Sequence, residues 1–370
     1  MNRPIVFRNL VVGLGAITLL VACGAPTTTA VTTPASSAKS AADVGGMSAL
    51  VSAAQKEGAL NVIALPPDWA NYGAIISAFT AKYKIPITSA NPNGSSQEEV
   101  NAITQLNGTD RAPDVLDIGM AVALANTQLF APYQVTHWKD ITDSQKEATG
   151  LWFQDYGGYM SIGYDSSKVP AITSVQDLLG PGFKGKVALN GDPTQANAAL
   201  NGVMMASLAN GGSLDNAQAG VDFFGKLNKA GNFVPVKATT ATVKNGTTPV
   251  VFDWDYLSAA HGTDVPTWKV FVPKGAVLGG YYAQAISKTA PHPAAARLWE
   301  EYLYSDEGQN LWLKGGARPV RMSALQSAGT IDKAAAAALP AVAGKPVFLS
   351  PDQATAAKTY LASHWAQAIG

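Results

Sequence analysis

Short apolar runs alternate with amphipathic stretches from Leu60 to Ile286, and this order is the strongest constraint on the fold. Runs such as Leu60–Leu65 and Val115–Ile118 are too short for a helix buried all round and read as strands inside a layered protein. The segments between them carry apolar residues at helical spacing, as with Tyr72, Ile75, Ile76 and Phe79 on one face of a helix over 71–83. Strands are expected at 60–65, 85–88, 115–118, 160–164, 187–189, 249–252, 269–272 and 282–286. Helices are expected at 48–56, 71–83, 95–106, from 121, at 194–209 and at 221–229. Gly58 and Gly231 end two of them. Such alternation predicts an α/β architecture with mainly parallel sheets. A chain of 370 residues is longer than one core usually serves, so two domains are expected.

The single cysteine, Cys23, leaves no partner for a disulfide or a cysteine metal site, and packing alone must hold the fold. It follows a charged head (Arg3, Arg8) and an apolar run from Leu10 to Val21. That run falls short of the ~20 residues a membrane span needs and fits the apolar region of a signal peptide. Leu20-Val21-Ala22-Cys23-Gly24 resembles the lipobox of bacterial lipoproteins. The resemblance implies a signal peptide over 1–22, lipid attachment at Cys23, and a mature protein anchored on the extracytoplasmic face of the membrane. Residues 25–40 are mostly Thr, Ala, Ser and Pro, too poor in large apolar side chains to bury a core. The segment 23–46 is therefore expected to be a flexible tether.

Lys plus Arg number 26, as do Asp plus Glu, a balance that argues against a nucleic-acid partner. There is no Gly-x-Ser-x-Gly elbow, His-Glu-x-x-His or phosphate-binding loop. The four histidines, His137, His261, His292 and His364, lack ligand spacing, so no metal, cofactor or enzyme activity is expected. Asp253 and Asp255 stand two apart at a strand end and are expected to point the same way. Glycosidase carboxylates flank a bond from two sides instead.

In open α/β sheets, ligands bind beyond the carboxyl ends of strands. The loops there carry Asp68-Trp69, Ser95-Ser96, Asp192 and Thr194, Asp253-Trp254-Asp255-Tyr256 and Tyr281-Tyr282. Ser96 with Glu99 reads as a capping box. The alternative is that Ser95, Ser96 and the free N–H groups of the helix start hold a polar or anionic ligand group. Asp192 and Thr194, around Pro193, carry the same two readings. Trp254 between two carboxylates suits an ammonium group, through ion pairing and cation–π attraction. Its other reading is a core indole beside solvated acids.

From these marks the chain resembles the extracellular solute-binding proteins of ABC importers. It is most similar to the branch that includes spermidine/putrescine-, ferric-iron- and aminoethylphosphonate-binding proteins. Thr248-Pro-Val-Val-Phe-Asp-Trp-Asp-Tyr-Leu-Ser-Ala-Ala260 is similar to a strand and loop that line the cleft in that family. The stretch from Tyr281 to Gln309, with Ala-Ala-Ala-Arg-Leu-Trp and Ser-Asp-Glu-Gly-Gln, matches its strand–turn–helix. Ala112-Pro-Asp-Val-Leu-Asp117 is similar to its Pro-Asp-Val strand. The resemblance implies a two-lobed periplasmic-binding-protein-like fold of type II, with a ligand cleft between lobes joined by a hinge. Residues 47–154 and 280–320 would form lobe 1, and 155–279 and 321–370 lobe 2. It implies a monomeric receptor whose partners are a small solute, the importer's permease subunits and, through Cys23, the membrane.

Polyamine binders use a Trp and acids at the position of Asp253-Trp254-Asp255, and an aromatic and an acid near Tyr281–Gln284, where Gln284 or Ala283 stands here. Iron binders place paired tyrosines near Trp254–Tyr256, where Tyr256 alone is found. The solute expected is small, polar and amine-bearing, either polyamine-like or zwitterionic. Asp68, Asp253 and Asp255 would hold its cation, Trp69, Trp254 and Tyr281 would stack on its carbon chain, and Ser95, Ser96 and Thr194 would take a hydroxyl or anionic end. A lipid-anchored hydrolase using Asp253 and Asp255, or a ferric-iron receptor, is the alternative.

Overall fold

The computed structural model describes Met1 and residues 33–340 and 342–370. The expected signal segment, the lipid-attachment position Cys23 and the first part of the expected tether lie outside the described residues. The rest of that tether is folded, which corrects the expectation. Residues 33–46 contain two 3-10 turns, Ala35–Ser37 and Ala41–Val44, and bury Ala38, Ala41 and Val44. Small side chains suffice here because the partner supplies the polar contacts. Arg297 donates from Nε to the Ala38 carbonyl at 2.9 Å while its guanidinium lies 5.5 Å from the Tyr133 ring centre.

Two strands, β1 (Leu60–Ile63) and β2 (Ile87–Ala90), pair in parallel. The others are β3 (Val115–Gly119), β4 (Phe130–Ala131), β5 (Phe153–Asp165), β6 (Val187–Leu189), β7 (Val250–Trp254), β8 (Trp268–Phe271), β9 (Leu278–Ser287), β10 (Arg318–Pro319) and β11 (Val347–Phe348). Among the described residues these nine form one sheet. Its spine is the antiparallel pair of long strands β5 and β9, with a register shift between Gln154 and Gly157. β3 and β4 pair with the late half of β9, whereas β7 and β8 pair with the late half of β5, and β6 extends from β7. Each spine strand therefore serves two groups of neighbours.

The expectation of mainly parallel sheets is corrected. Among the named strands of the described residues, parallel pairing is confined to β1–β2, β6–β7 and β9–β11, with one isolated parallel bridge between Val187 and Phe233. Alternation in sequence fixes that helices intervene between strands, but not which strand each one meets. Two strands are longer than their apolar cores. β5 begins at Phe153 rather than at 160, because Gln154, Asp155 and Gly157-Gly158 interrupt its apolar pattern. β9 begins at Leu278, ahead of the Gly279-Gly280 pair.

Helices cover both groups. Met47–Glu57 packs on Pro293–Leu303, and the Glu57 carboxylate accepts the N–H groups of Ala294 and Ala295 at 2.8–3.0 Å. A carboxylate there meets the positive end of the helix dipole. Pro351–Ile369 packs both on Gln218–Lys229 and on Met120–Ala125. The indoles of Trp254, Trp299 and Trp312 are fully buried in the core.

Candidate functional site

A groove of about 720 Å³ opens between Pro66–Trp69, Asn93–Ser96 and Asp117 on one side and Asn190, Ala196–Ala198, Lys237–Ala241 and Asp253 on the other. Tyr282 also lines it. Six of the expected residues therefore meet there: Asp68, Trp69, Ser95, Ser96, Asp253 and Tyr282.

Ser95 reaches the groove because it caps the helix Ser96–Gln105. Its Oγ accepts the Glu98 N–H at 3.4 Å, and Glu98 Oε2 accepts the Ser95 N–H at 2.7 Å and hydroxyl at 2.9 Å. The capping box is thus Ser95 with Glu98, one residue before the expected pair. Ser-Ser followed by Glu-Glu satisfies the pattern in two registers, and burial of Val100 and Ile103 on the inner face selects this one. The shift turns the other pair inward. Ser96 Oγ accepts the Gly119 N–H and Glu99 Oε2 the Asp117 N–H, both at 3.1 Å. Its N–H contacts, the Ser95 backbone first, hold the Glu98 carboxyl below its usual range, so the helix start already carries an anion of its own.

Asp253 is the last but one residue of β7 and faces the groove. Its Oδ2 accepts from Asn190 Nδ2 at 2.9 Å and its Oδ1 from the Trp254 N–H at 2.8 Å. Burial nevertheless pushes its pKa up to about 7. Trp254, next along the strand, points to the other face. It is fully buried, with its indole N–H 3.3 Å from the Tyr282 hydroxyl, and does not line the groove. Asp255 does not point the same way as Asp253. β7 ends at Trp254 and Asp255 starts the helix Asp255–Ala260, which breaks the period of two. Asp255 is buried beside Arg318 at 2.8 Å, outside the groove.

Tyr256 is buried, its ring 6.0 Å from that of Tyr156. Tyr281 and Tyr282 alternate across β9. Tyr282 stacks on Tyr156 at 5.7 Å and 14°, with Trp69 edge-on at 5.7 Å and 89°, whereas Tyr281 packs toward Phe348 on the opposite face. Asp192 closes a local turn, accepting the N–H and hydroxyl of Thr194 at 2.8 Å each, and neither residue lines the groove.

Sequence reasoning missed Asp117, Glu99, Asn190, Lys237 and Thr240. Asp117 carried a usable signal, a lone acid inside the apolar strand Val-Leu-Asp-Ile-Gly. Its Oδ2 accepts the hydroxyls of Tyr72 at 2.9 Å and Tyr156 at 2.8 Å, and burial pushes its pKa up to about 7. Trp69 joins this group, its indole N–H donating to the Tyr156 hydroxyl at 2.6 Å. Lys237 lies in a segment with no periodic signal. It donates to the Asn93 carbonyl across the groove, and the Thr240 hydroxyl likewise reaches Asp68. Burial lowers the Lys237 pKa. Among the described residues, no three His, Cys, Asp or Glu side chains gather as metal ligands.

A family model described as bacterial extracellular solute-binding protein matches residues 113–344. No curated protein sequence matches the chain. Solved structures align over most of its length at low identity. Iron-bound HitA from Pseudomonas aeruginosa is 19% identical with a TM-score of 0.62, over 84% of this chain and 99% of that one. AfuA from Actinobacillus pleuropneumoniae, with fructose-6-phosphate bound, is 17% identical with a TM-score of 0.66, over 84% and 98%. AgtB from A. tumefaciens R10, in complex with agropinic acid, is 15% identical with a TM-score of 0.65, over 84% and 98%. These likenesses establish the expected fold, α/β and two-lobed, of the type II periplasmic-binding-protein class.

Proposed function

The chain belongs to the bacterial extracellular solute-binding proteins, and from that premise we propose that it is the receptor of an ABC importer for a small, polar, amine-bearing solute. The observation that carries the ligand class is the groove floor. Two buried carboxyls, Asp117 and Asp253, face a space walled by the aromatic rings of Trp69 and Tyr282. Buried carboxyls favour a cation, and aromatic faces suit both an ammonium and the carbon chain behind it. Lys237 supplies a positive group for the anionic end of a zwitterion.

The sheet supports the lobe assignment. β3 and β9 bring 47–154 together with 280–320, while β5 and β7 organise 155–279. The C-terminal helix, placed with 321–370 in lobe 2, touches both groups. The hinge is then the register shift of β5 beside Gly279-Gly280. A lipid at Cys23 would keep the receptor beside its permease, outside the cytoplasmic membrane. The hydrolase alternative loses its pair, because Asp253 and Asp255 face different spaces.

Calorimetry and thermal shift with putrescine, spermidine, 2-aminoethylphosphonate, ferric citrate and fructose-6-phosphate test the ligand class. An amine at 100 times its Kd should stabilise the protein by about 2.7 kcal/mol. Stabilisation by ferric citrate or the sugar phosphate alone would overturn the amine assignment.

A further inference from the structure

Asp117 differs from every other acid of the groove in what it lacks. Its Oδ2 is held by two phenol hydroxyls, but its Oδ1 is buried with no hydrogen-bond partner. Asp253 has both oxygens engaged and Lys237 near enough to favour its charge. The titratable groups that feel the Asp117 charge come from every element around it. They are Tyr72 and Glu99 on flanking helices, Asp155 and Tyr156 on β5, Tyr256 and Tyr282, and Glu300 and Tyr304 behind them. All are acids or phenols, so nothing in this set neutralises the carboxylate.

We infer that Asp117 holds the ammonium group of the solute, and that the cation enters in exchange for the carboxyl proton. This rests on the amine reading above and deepens it. The exchange balances simply: the carboxylic acid gives its proton to solvent, and the carboxylate accepts an N–H from the ligand at Oδ1. Oδ1 is the oxygen left free to accept, so the solute that fits the inference carries a primary or secondary ammonium; a quaternary one has no N–H to give. The two phenol bonds to Oδ2 favour the ionised form, and burial opposes it, which leaves the carboxyl titrating at about 7.

The test is isothermal calorimetry of the full chain with putrescine, 2-aminoethylphosphonate and choline at pH 6 and 8 in phosphate, with the pH 6 titration repeated in MES. An acid titrating near 7 makes amine affinity about tenfold tighter at pH 8 than at pH 6. At pH 6 close to one proton should appear as buffer-dependent heat, and choline should not bind at the site. Asp117→Asn, which conserves volume, should weaken amine binding and remove the pH dependence. If an amine binds the wild type equally at both pH values, or if the dependence survives in Asp117→Asn, the assignment falls while the amine reading stands. If neither putrescine nor 2-aminoethylphosphonate binds the wild type, both fall. The wild-type pH comparison decides even if the Asn variant misfolds.

Discussion

Replacing Arg318 with Met should cost the protein more stability than any change at the surface and leave solute binding intact. Asp255 is 0% exposed and the Arg318 side chain 13%. The two oxygens of Asp255 are served differently. Oδ1 accepts the amide N–H groups of Tyr159 at 3.0 Å and Tyr256 at 3.1 Å, whereas Oδ2 has Arg318 Nη1 alone, at 2.8 Å. The guanidinium also lies 4.4 Å from the Tyr159 ring centre and reaches the Pro340 carbonyl at 3.1 Å. A methionine keeps most of the apolar stem and removes the charge, stranding a buried carboxylate. Breaking a buried pair from one side costs about 3–5 kcal/mol. At about 2–4 °C per kcal/mol the melting temperature should fall by at least roughly 6 °C. Guanidinium unfolding gives the free energy, and calorimetry with a binding amine gives the affinity. The double variant Arg318→Met/Asp255→Asn should recover most of the loss, because no charge is then left unpaired while the Tyr159 and Tyr256 amides keep an acceptor. A loss below about 1 kcal/mol would place the pair in the class of exposed bridges and refute the argument. A large drop in affinity at unchanged stability would refute it from the other side, by returning Asp255 to the binding site.

The ligand-free protein should be more stable at pH 5.5 than at pH 7.5. Burial raises the Asp117 and Asp253 pKa values to about 7, so between the ordinary carboxylate range and pH 7 the folded chain binds protons that the unfolded chain has lost. Stability then falls as pH rises through that window, and Asp253→Asn should flatten part of the fall in melting temperature. Asp177 acts with the opposite sign, held at about 2 by the Thr173 and Ser174 amides, and its contribution disappears only in stronger acid. Gly157→Ala should destabilise by about 1–3 kcal/mol, through overpacking. A Cβ there would stand 2.1 Å from the Gly280 carbonyl oxygen, where β5 and β9 cross, whereas Gly262→Ala meets nothing within 4 Å and should be silent in the same denaturation assay.

The apolar strand cores were legible because burial on two faces leaves a continuous run. The facing of individual side chains was less so, and the reason is local. Asp253, Trp254 and Asp255 are adjacent letters, but the strand ends between the second and third, so the two acids diverge. Tyr281 and Tyr282 are indistinguishable in sequence, and strand alternation sends one of them away from the groove. Ser95-Ser96 with Glu98-Glu99 offered two capping registers, and only the packed face of the helix separates them. Lys237 was invisible, since it reaches the groove from a connection with no period at all, and Thr240 opens a helix, Thr240–Lys244, too short to show one. The tether was misread in part for a related reason. Composition reports what a segment can bury by itself, and residues 33–46 fold against Arg297, more than 250 positions away in the chain.

What makes the floor of the groove rigid and its mouth weak follows from the same contacts. From Trp69 the hydrogen bonds run to Tyr156, on to Asp117, back through Tyr72 to Gln284, and from Gln284 to Asp155 at 2.7 Å. Asp155 lies on β5 beside the register shift, and its carbonyl accepts the Val320 N–H at 2.7 Å. These links are buried, so losing any one leaves an unpaired polar group, at a cost of about 1–3 kcal/mol. Across the mouth, by contrast, stand the exposed contacts of Asp68 with Thr240 and Lys237 with Asn93. Contacts of that kind contribute about 0.5–1.5 kcal/mol each at most. On the receptor reading proposed above, a groove with so little of its own to hold it shut would close chiefly on what it binds. The free energy of closing would then come from the solute's contacts with the buried floor, and Tyr156 and Asp155, which answer them, lie on β5, the strand shared by the two groups of neighbours.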